Sequence, residues 1–153
     1  MVGQAISPEN IDQVLRDAHD ELEPDLMVID VDGGDYAVIH NMSSVRPRVL
    51  VVEFEKRFRD RYSVVQFDNA DFGKRWPQSG TASLPAWEKL LTSRGYTLCA
   101  IGTCGFNAFV IRSDIAAGNF LPLTSSAAFD AHPILSKVPG DFWLSPDETW
   151  QPV

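Results

Sequence analysis

The sequence predicts an α/β layer fold, with a mostly parallel sheet of about four strands that ends in an antiparallel hairpin. Three observations carry this. Two short runs, residues 26–31 (LMVIDV) and 49–54 (VLVVEF), are almost entirely apolar, as strands covered on both faces are. Apolar residues at helical spacing flank and separate these runs. Gly102-Thr103-Cys104-Gly105 then joins two further apolar runs, its glycines permitting the positive φ of a tight hairpin turn.

In chain order, Ser7 and Pro8 mark a helix start, since the hydroxyl can accept from an early backbone N–H and proline suits the first helical position. Ile11, Val14, Leu15, Ala18 and Leu22 recur on one face, and Pro24 ends the helix. The strand at 26–31 breaks at Gly33 and Gly34, and Asp35 is placed to cap a second helix carrying Tyr36, Ile39 and Met42. Pro47 closes that helix before the strand at 49–54, so strand, helix, strand reads as a right-handed parallel crossover. From 56 to 81 the chain is polar and aromatic, with one extended piece at 62–67. A loop of that length in a small domain is usually functional or mobile. Ser83 opens a third helix (Leu84, Trp87, Leu90, Leu91), closed by Arg94 and Gly95, and strands 96–101 and 106–111 form the hairpin. Residues 1–118 thus hold the α/β pattern. Residues 119–153, with five prolines among scattered aromatics, are expected to wrap the same body as irregular chain.

With 153 residues, 44% apolar and 22% charged, the chain fits one globular unit, and no run approaches the roughly 20 apolar residues of a spanning helix. The net charge of −8 repels phosphate backbones and anionic lipid, so neither nucleic acid nor membrane is an expected partner. Two cysteines, Cys99 and Cys104, and an N-terminus without a signal-peptide pattern point to a reducing cytoplasm. Charge is uneven: residues 46–75 hold eight of the 13 basic side chains against five acids.

Taken as a set, the motifs are more specific. They are Pro8-Glu9-Asn10-Ile11, then Leu26-Met27-Val28-Ile29-Asp30-Val31-Asp32-Gly33-Gly34-Asp35-Tyr36, then Arg46-Pro47-Arg48-Val49-Leu50-Val51-Val52-Glu53-Phe54-Glu55. Ala82-Ser83-Leu84 and Gly105-Phe106-Asn107-Ala108-Phe109-Val110 complete them. Over about residues 6 to 115 the chain resembles the FkbM-type methyltransferase-like family, and within it the C-terminal half of the Rossmann-like class I S-adenosylmethionine-dependent methyltransferase fold. The resemblance implies that the cofactor sits on the first half of such a sheet, over a glycine-rich turn after the first strand. Only seven residues precede the first helix, so the expectation is a truncated domain without the first three strands. No residue is then assigned to the cofactor, and S-adenosylmethionine is not expected to bind the isolated chain. The strand at 26–31, which would lie mid-sheet in the complete fold, becomes an apolar edge. Such edges are covered or paired, which points to a homodimer through this strand, a partner chain, or cover by the tail.

Open α/β sheets bind ligands outside the carboxyl ends of their strands. Asp30, Asp32 and Asp35 follow the first apolar run, while Glu53 and Glu55 end the second, so parallel neighbours would bring these acids to one rim. Crowded carboxylates suit acid/base catalysis, for which Asp30, Asp32 and Glu53 are the candidates. They also suit a hard cation, Mg²⁺ or Ca²⁺, held by Asp30, Asp32, Glu53 and Glu55. The resemblance carries over Asp30, Asp32, Glu53 and Asn107, whereas Glu55 stands where the family often has an amide. Tyr36, Arg57, Arg59, Ser83 and Asn107 are the substrate-binding candidates. If 57–61 is extended, Arg57, Arg59 and Arg61 share a face and grip an anion.

The plainer alternative is that Asp32-Gly33-Gly34-Asp35 is a turn with a helix cap, the glutamates are paired with arginines, and the basic window is a solvated loop. The DxDG pattern lacks the later motifs of haloacid-dehalogenase phosphatases and the twelfth-position Glu of an EF-hand. Three functions remain open: a small biosynthetic enzyme acting through the carboxylates on a small molecule, an anionic one if the arginines grip it; a non-catalytic binding or assembly module; and a methyltransferase half completed by another chain.

Overall fold

A computed structural model describes residues 5–18, 20–31, 33–66 and 82–153. Asp32 and His19 lie outside the described residues, as do residues 67–81 of the polar stretch 56–81.

Helix α1 spans Ile11–Ala18. The segment from Ser7 forms a turn in which the Ser7 carbonyl accepts from Asn10 N and Ile11 N and the Asn10 side chain accepts from Ser7 N. The helix therefore begins after the Ser-Pro signal. It also stops before Leu22, which is 60% exposed and lies off the expected apolar stripe. Asp12 ties α1 to the next layer by accepting from Ser43 N at 2.8 Å, Ser43 Oγ at 2.5 Å and Ser44 N at 2.9 Å.

Strand β1 (Leu26–Ile29) leads through the glycine pair into helix α2 (Asp35–Asn41), and strand β2 (Val49–Glu53) follows. β1 and β2 run parallel, with Leu26 opposite Val49 and Ile29 opposite Val52. After a 3₁₀ turn at Lys56–Phe58, strand β3 is only Val64–Val65. Helix α3 (Leu84–Ser93) is capped by Ser83, whose Oγ accepts from Ala86 N at 3.4 Å and from Val64 N at 3.0 Å. Strands β4 (Tyr96–Ile101) and β5 (Asn107–Arg112) form the expected hairpin, with a register shift between Leu98 and Ala100.

The main sheet has the order β1-β2-β5-β4. The expectation of a mostly parallel sheet is corrected here: one pairing is parallel, and both pairings made by β5 are antiparallel. The physical reason is the tight hairpin. It returns β5 beside β4 and inserts it between β4 and β2, so β1, β2 and β4 point the same way while β2 and β4 never touch.

Alternation then divides the sheet into two faces. Ile29, Leu50, Val52, Ala108, Val110, Leu98 and Tyr96 turn to one side and are buried against Tyr36, Val38 and Ile39 of α2 and Leu84, Trp87 and Leu91 of α3. On the other side Leu26, Val28 and Phe109 are 57%, 60% and 39% exposed.

Residues 119–153 hold more regular structure than a wrapping coil. After α4 (Ser113–Ala116) comes α5 (Ser125–Ala131), capped by Thr124 and anchored by Glu88, which accepts from Ser125 N at 2.7 Å and Oγ at 2.6 Å. Ala128, Phe129 and Leu135 join the main core. His132 is a buried clamp: its Nδ1 accepts from Ile134 N at 3.1 Å and Leu135 N at 3.0 Å, while Nε2 lies 3.0 Å from the Gly102 carbonyl. Strand β6 (Gln151–Pro152) finally pairs antiparallel with β3.

Candidate functional site

The parallel register of β1 and β2 decides where the strand-end acids lie. Ile29 pairs with Val52, so Asp30 follows at the level of Glu53, and Glu53 pairs across the next ladder with Asn107. Neighbouring strands are about 4.8 Å apart, which places Asp30, Glu53 and Asn107 in one row at the carboxyl rim. Asp30 and Asn107 are exposed and Glu53 is half-buried. Trp87 Nε1 donates to the Glu53 carbonyl at 2.8 Å and fixes the end of β2 against α3. Beside the row, Lys56 Nζ lies 3.5 Å from the centroid of the Phe106 ring. Sequence reasoning counted Lys56 only as part of a basic stretch. Its position straight after the Glu53-Phe54-Glu55 end of a strand was the signal that could have found it.

The remaining candidates serve the scaffold. Asp35 is 1% exposed, and its Oδ1 accepts from Val31 N at 3.1 Å, closing the turn between β1 and α2. Burial pushes its carboxyl above the ordinary range. Backbone hydrogen bonds from Val31, Asp35 and Gly33 oppose the rise, and the charge of Asp30 adds to it. The helix-capping position belongs to Gly34, not to Asp35.

Glu55 is 3% exposed, and both oxygens face Arg57: Oε1 accepts from Arg57 N at 2.8 Å and Oε2 from Nη2 at 2.6 Å. This hydrogen bond holds the guanidinium above its ordinary pKa despite partial burial. Arg59 pairs with Asp60 at 2.9 Å and with Asp130, and its φ of 52° ends the 3₁₀ turn. The chain at 56–59 is therefore not extended, and Arg57 and Arg59 face protein carboxylates. Ser83 is fully buried in its capping role, and Tyr36 packs on Trp87 with ring centroids 4.9 Å apart. Burial raises the Tyr36 hydroxyl pKa.

A family model described as the methyltransferase FkbM domain matches residues 2–98, well over half of the 153-residue chain. The chain belongs to the FkbM methyltransferase domain family. No curated protein and no solved structure matches it.

Membership in the FkbM family implies S-adenosylmethionine as cofactor, and neither the glycine turn after β1 nor the cavity beside it fits that group. Their one strand-to-helix glycine pair is Gly33-Gly34. A Cβ on Gly34 would meet Val31 Cγ2 at 3.3 Å, and the Val31 N–H that borders the turn is taken by Asp35, so the turn is filled by its own chain and is no open cradle. The cavity beside Asp30, about 230 Å³ and lined by Ile11, Leu15, Met27 and Val38 among others, is smaller than most cofactor-sized pockets. The divalent-cation set expected at Asp30, Asp32, Glu53 and Glu55 is not gathered by those of its members that the structure describes. Glu55 is engaged by Arg57, Asp32 lies outside the described residues, and among the described residues no three His, Cys, Asp or Glu side chains gather around a metal-sized position. Nor is any described helix of the FkbM domain long and apolar enough to cross a membrane.

Proposed function

We propose that the row Asp30, Glu53 and Asn107 is the acceptor side of a small-molecule site, where a hydroxyl or amine substrate hydrogen-bonds to the carboxylates and the Asn107 amide. Its carrying observation is the register that levels Asp30 with Glu53 and Glu53 with Asn107. In this reading an ionised carboxylate accepts the proton of the bound hydroxyl, and the electron pair of the broken O–H bond stays on the substrate oxygen. Behind the rim, burial raises the Asp35 carboxyl above its ordinary range, which sets this inner acid apart from the exposed Asp30. The pairing of Arg57 with Glu55 and of Arg59 with Asp60 supports a neutral or cationic substrate over an anionic one. Biosynthetic methyl transfer is the family's implication, and no step through the methyl donor is derived from these residues.

A second reading, a methyltransferase half completed by another chain, is favoured by the outer side of β1, which has only β2 as a neighbour among the described strands.

The test is a nuclear magnetic resonance titration of the isotope-labelled chain with myo-inositol, sulfate and S-adenosylmethionine in turn. The expected outcome is that myo-inositol shifts the amides of Asp30, Glu53 and Asn107, and that the double substitution Asp30→Asn with Glu53→Gln removes those shifts at an unchanged melting temperature. Shifts that survive the double substitution, or rim shifts with sulfate alone, would overturn the proposal. S-adenosylmethionine shifting residues of the isolated chain as strongly as myo-inositol would overturn the placement of the donor elsewhere.

A further inference from the structure

The outer edge of β1 brings together three features that the rim chemistry does not use. First, β1 is the last strand of its sheet among the described residues, and no described strand pairs with its outward backbone groups. Second, both flanks of that ladder are apolar. Leu26 and Val28 are 57% and 60% exposed on one face, and on the other a groove of about 230 Å³ runs between β1 and α1, lined by Ile6, Ile11, Leu15 and Met27. A strand added here would project alternate side chains over Val28 and into that groove. Third, the surrounding charge has one sign: residues 20–32 hold six acids and no Lys, Arg or His. Asp25 pairs with Arg48 at 3.1 Å and Glu23 with Arg112 at 2.8 Å, which still leaves the stretch acidic at both ends of the strand.

We propose that the β1 edge is a strand-addition site for another protein. Its ligand is an extended segment with apolar residues at alternate positions and Lys or Arg on both sides of them. The charge pattern selects this occupant over a second copy of the chain. In antiparallel self-pairing about Met27 and Val28, Asp25 of each copy would face Asp30 of the other. In parallel self-pairing the acidic stretch 20–25 would lie beside its own duplicate. Like charges directly opposite one another destabilise a strand pair, whereas basic flanks would meet the acids at both ends. The site stands whether or not the rim is catalytic.

The probe is a pair of fluorescent peptides with one shared core of alternating valine and threonine, one carrying three lysines at each end and the other three glutamates. Anisotropy with the full chain is expected to show the lysine-flanked peptide binding at least tenfold more tightly than the glutamate-flanked one. Raising salt from 50 to 300 mM should weaken binding severalfold by screening. The exposed substitution Val28→Lys should weaken it tenfold or more while the melting temperature holds, and Leu26→Lys provides an independent second variant. Three results would overturn the proposal. Equal binding of the two peptides would mean unspecific apolar adhesion. No binding of either would leave the acids as guards against edge aggregation. A wild-type dimer in analytical ultracentrifugation that Val28→Lys abolishes would make a second copy the occupant.

Discussion

The rim at the carboxyl ends of β1 and β2 and the layer directly behind it use the same residue type in opposite ways. At the rim, Asp30 is exposed and Glu53 half-buried, in register with each other and with Asn107. Further along each loop, five residues after Asp30 and two after Glu53, Asp35 and Glu55 are buried, with oxygens occupied by the Val31 N–H and by Arg57. A carboxylate taken out of water must be hydrogen-bonded or paired by its own chain, and one left at the surface need not be. On the proposed reading the outer pair faces the ligand, while the inner pair holds the loops behind it.

The largest test of that contrast is removal of the inner anchor. Glu55→Ala leaves the Arg57 guanidinium and the Arg57 backbone N–H without their carboxylate partner. It should cost about 2–4 kcal/mol in denaturant unfolding, the lower end reflecting the partial exposure of Arg57, and should loosen the 3₁₀ turn at Lys56–Phe58. A loss below about 0.5 kcal/mol would place Glu55 with the outer pair.

A smaller effect separates the acids by pH. Asp35 has a folded pKa raised by burial, so the unfolded state releases its proton first and stability falls as pH rises from about 3.8 through the folded value. Asp12, at the opposite end of the fold, behaves in the reverse sense. Desolvation is outweighed by the hydrogen bonds from Ser43 and Ser44, and its pKa lies at about 2. Its contribution is complete above its ordinary value of 3.8 and is lost as pH falls to about 2. In pH-resolved thermal melts, Asp35→Asn should remove the first slope and leave the protein as stable or more stable at pH 7, while Asp12→Asn should flatten the acid limb. Identical profiles for the two variants would contradict the assignment.

The smallest expected effect is at the rim itself. Asp30→Asn and Glu53→Gln should each change stability by no more than about 0.5 kcal/mol. A much larger loss on Glu53→Gln would return that residue to the scaffold.

Much of the frame was legible in the sequence. The apolar runs at 26–31 and 49–54 are strands, the glycine pair and Ser83 mark the turns where helices begin, and the glycine-bounded hairpin lies where its pattern puts it. These signals are local, because strand alternation, caps and turn residues act within a few positions of themselves. The tail was underread: α5 depends on Thr124 and on Glu88 reaching 37 positions along the chain, which no local periodicity announces. The arginine stretch misled because alternation in sequence matters only if the backbone is extended, and the short-range pairing of Glu55 with Arg57 bends it instead.

The sequence by itself determined which segments are strands and helices and that acids follow two of the strands, since these follow from hydrophobic pattern and the chemistry of turns. Only the tertiary structure decided which acids remain at the surface, that β5 slips between β2 and β4, and that β1 has β2 as its one strand neighbour among the described residues. Burial, register and strand order arise between segments distant in the chain, where the free energy of packing, and not the preference of any single stretch, selects the outcome.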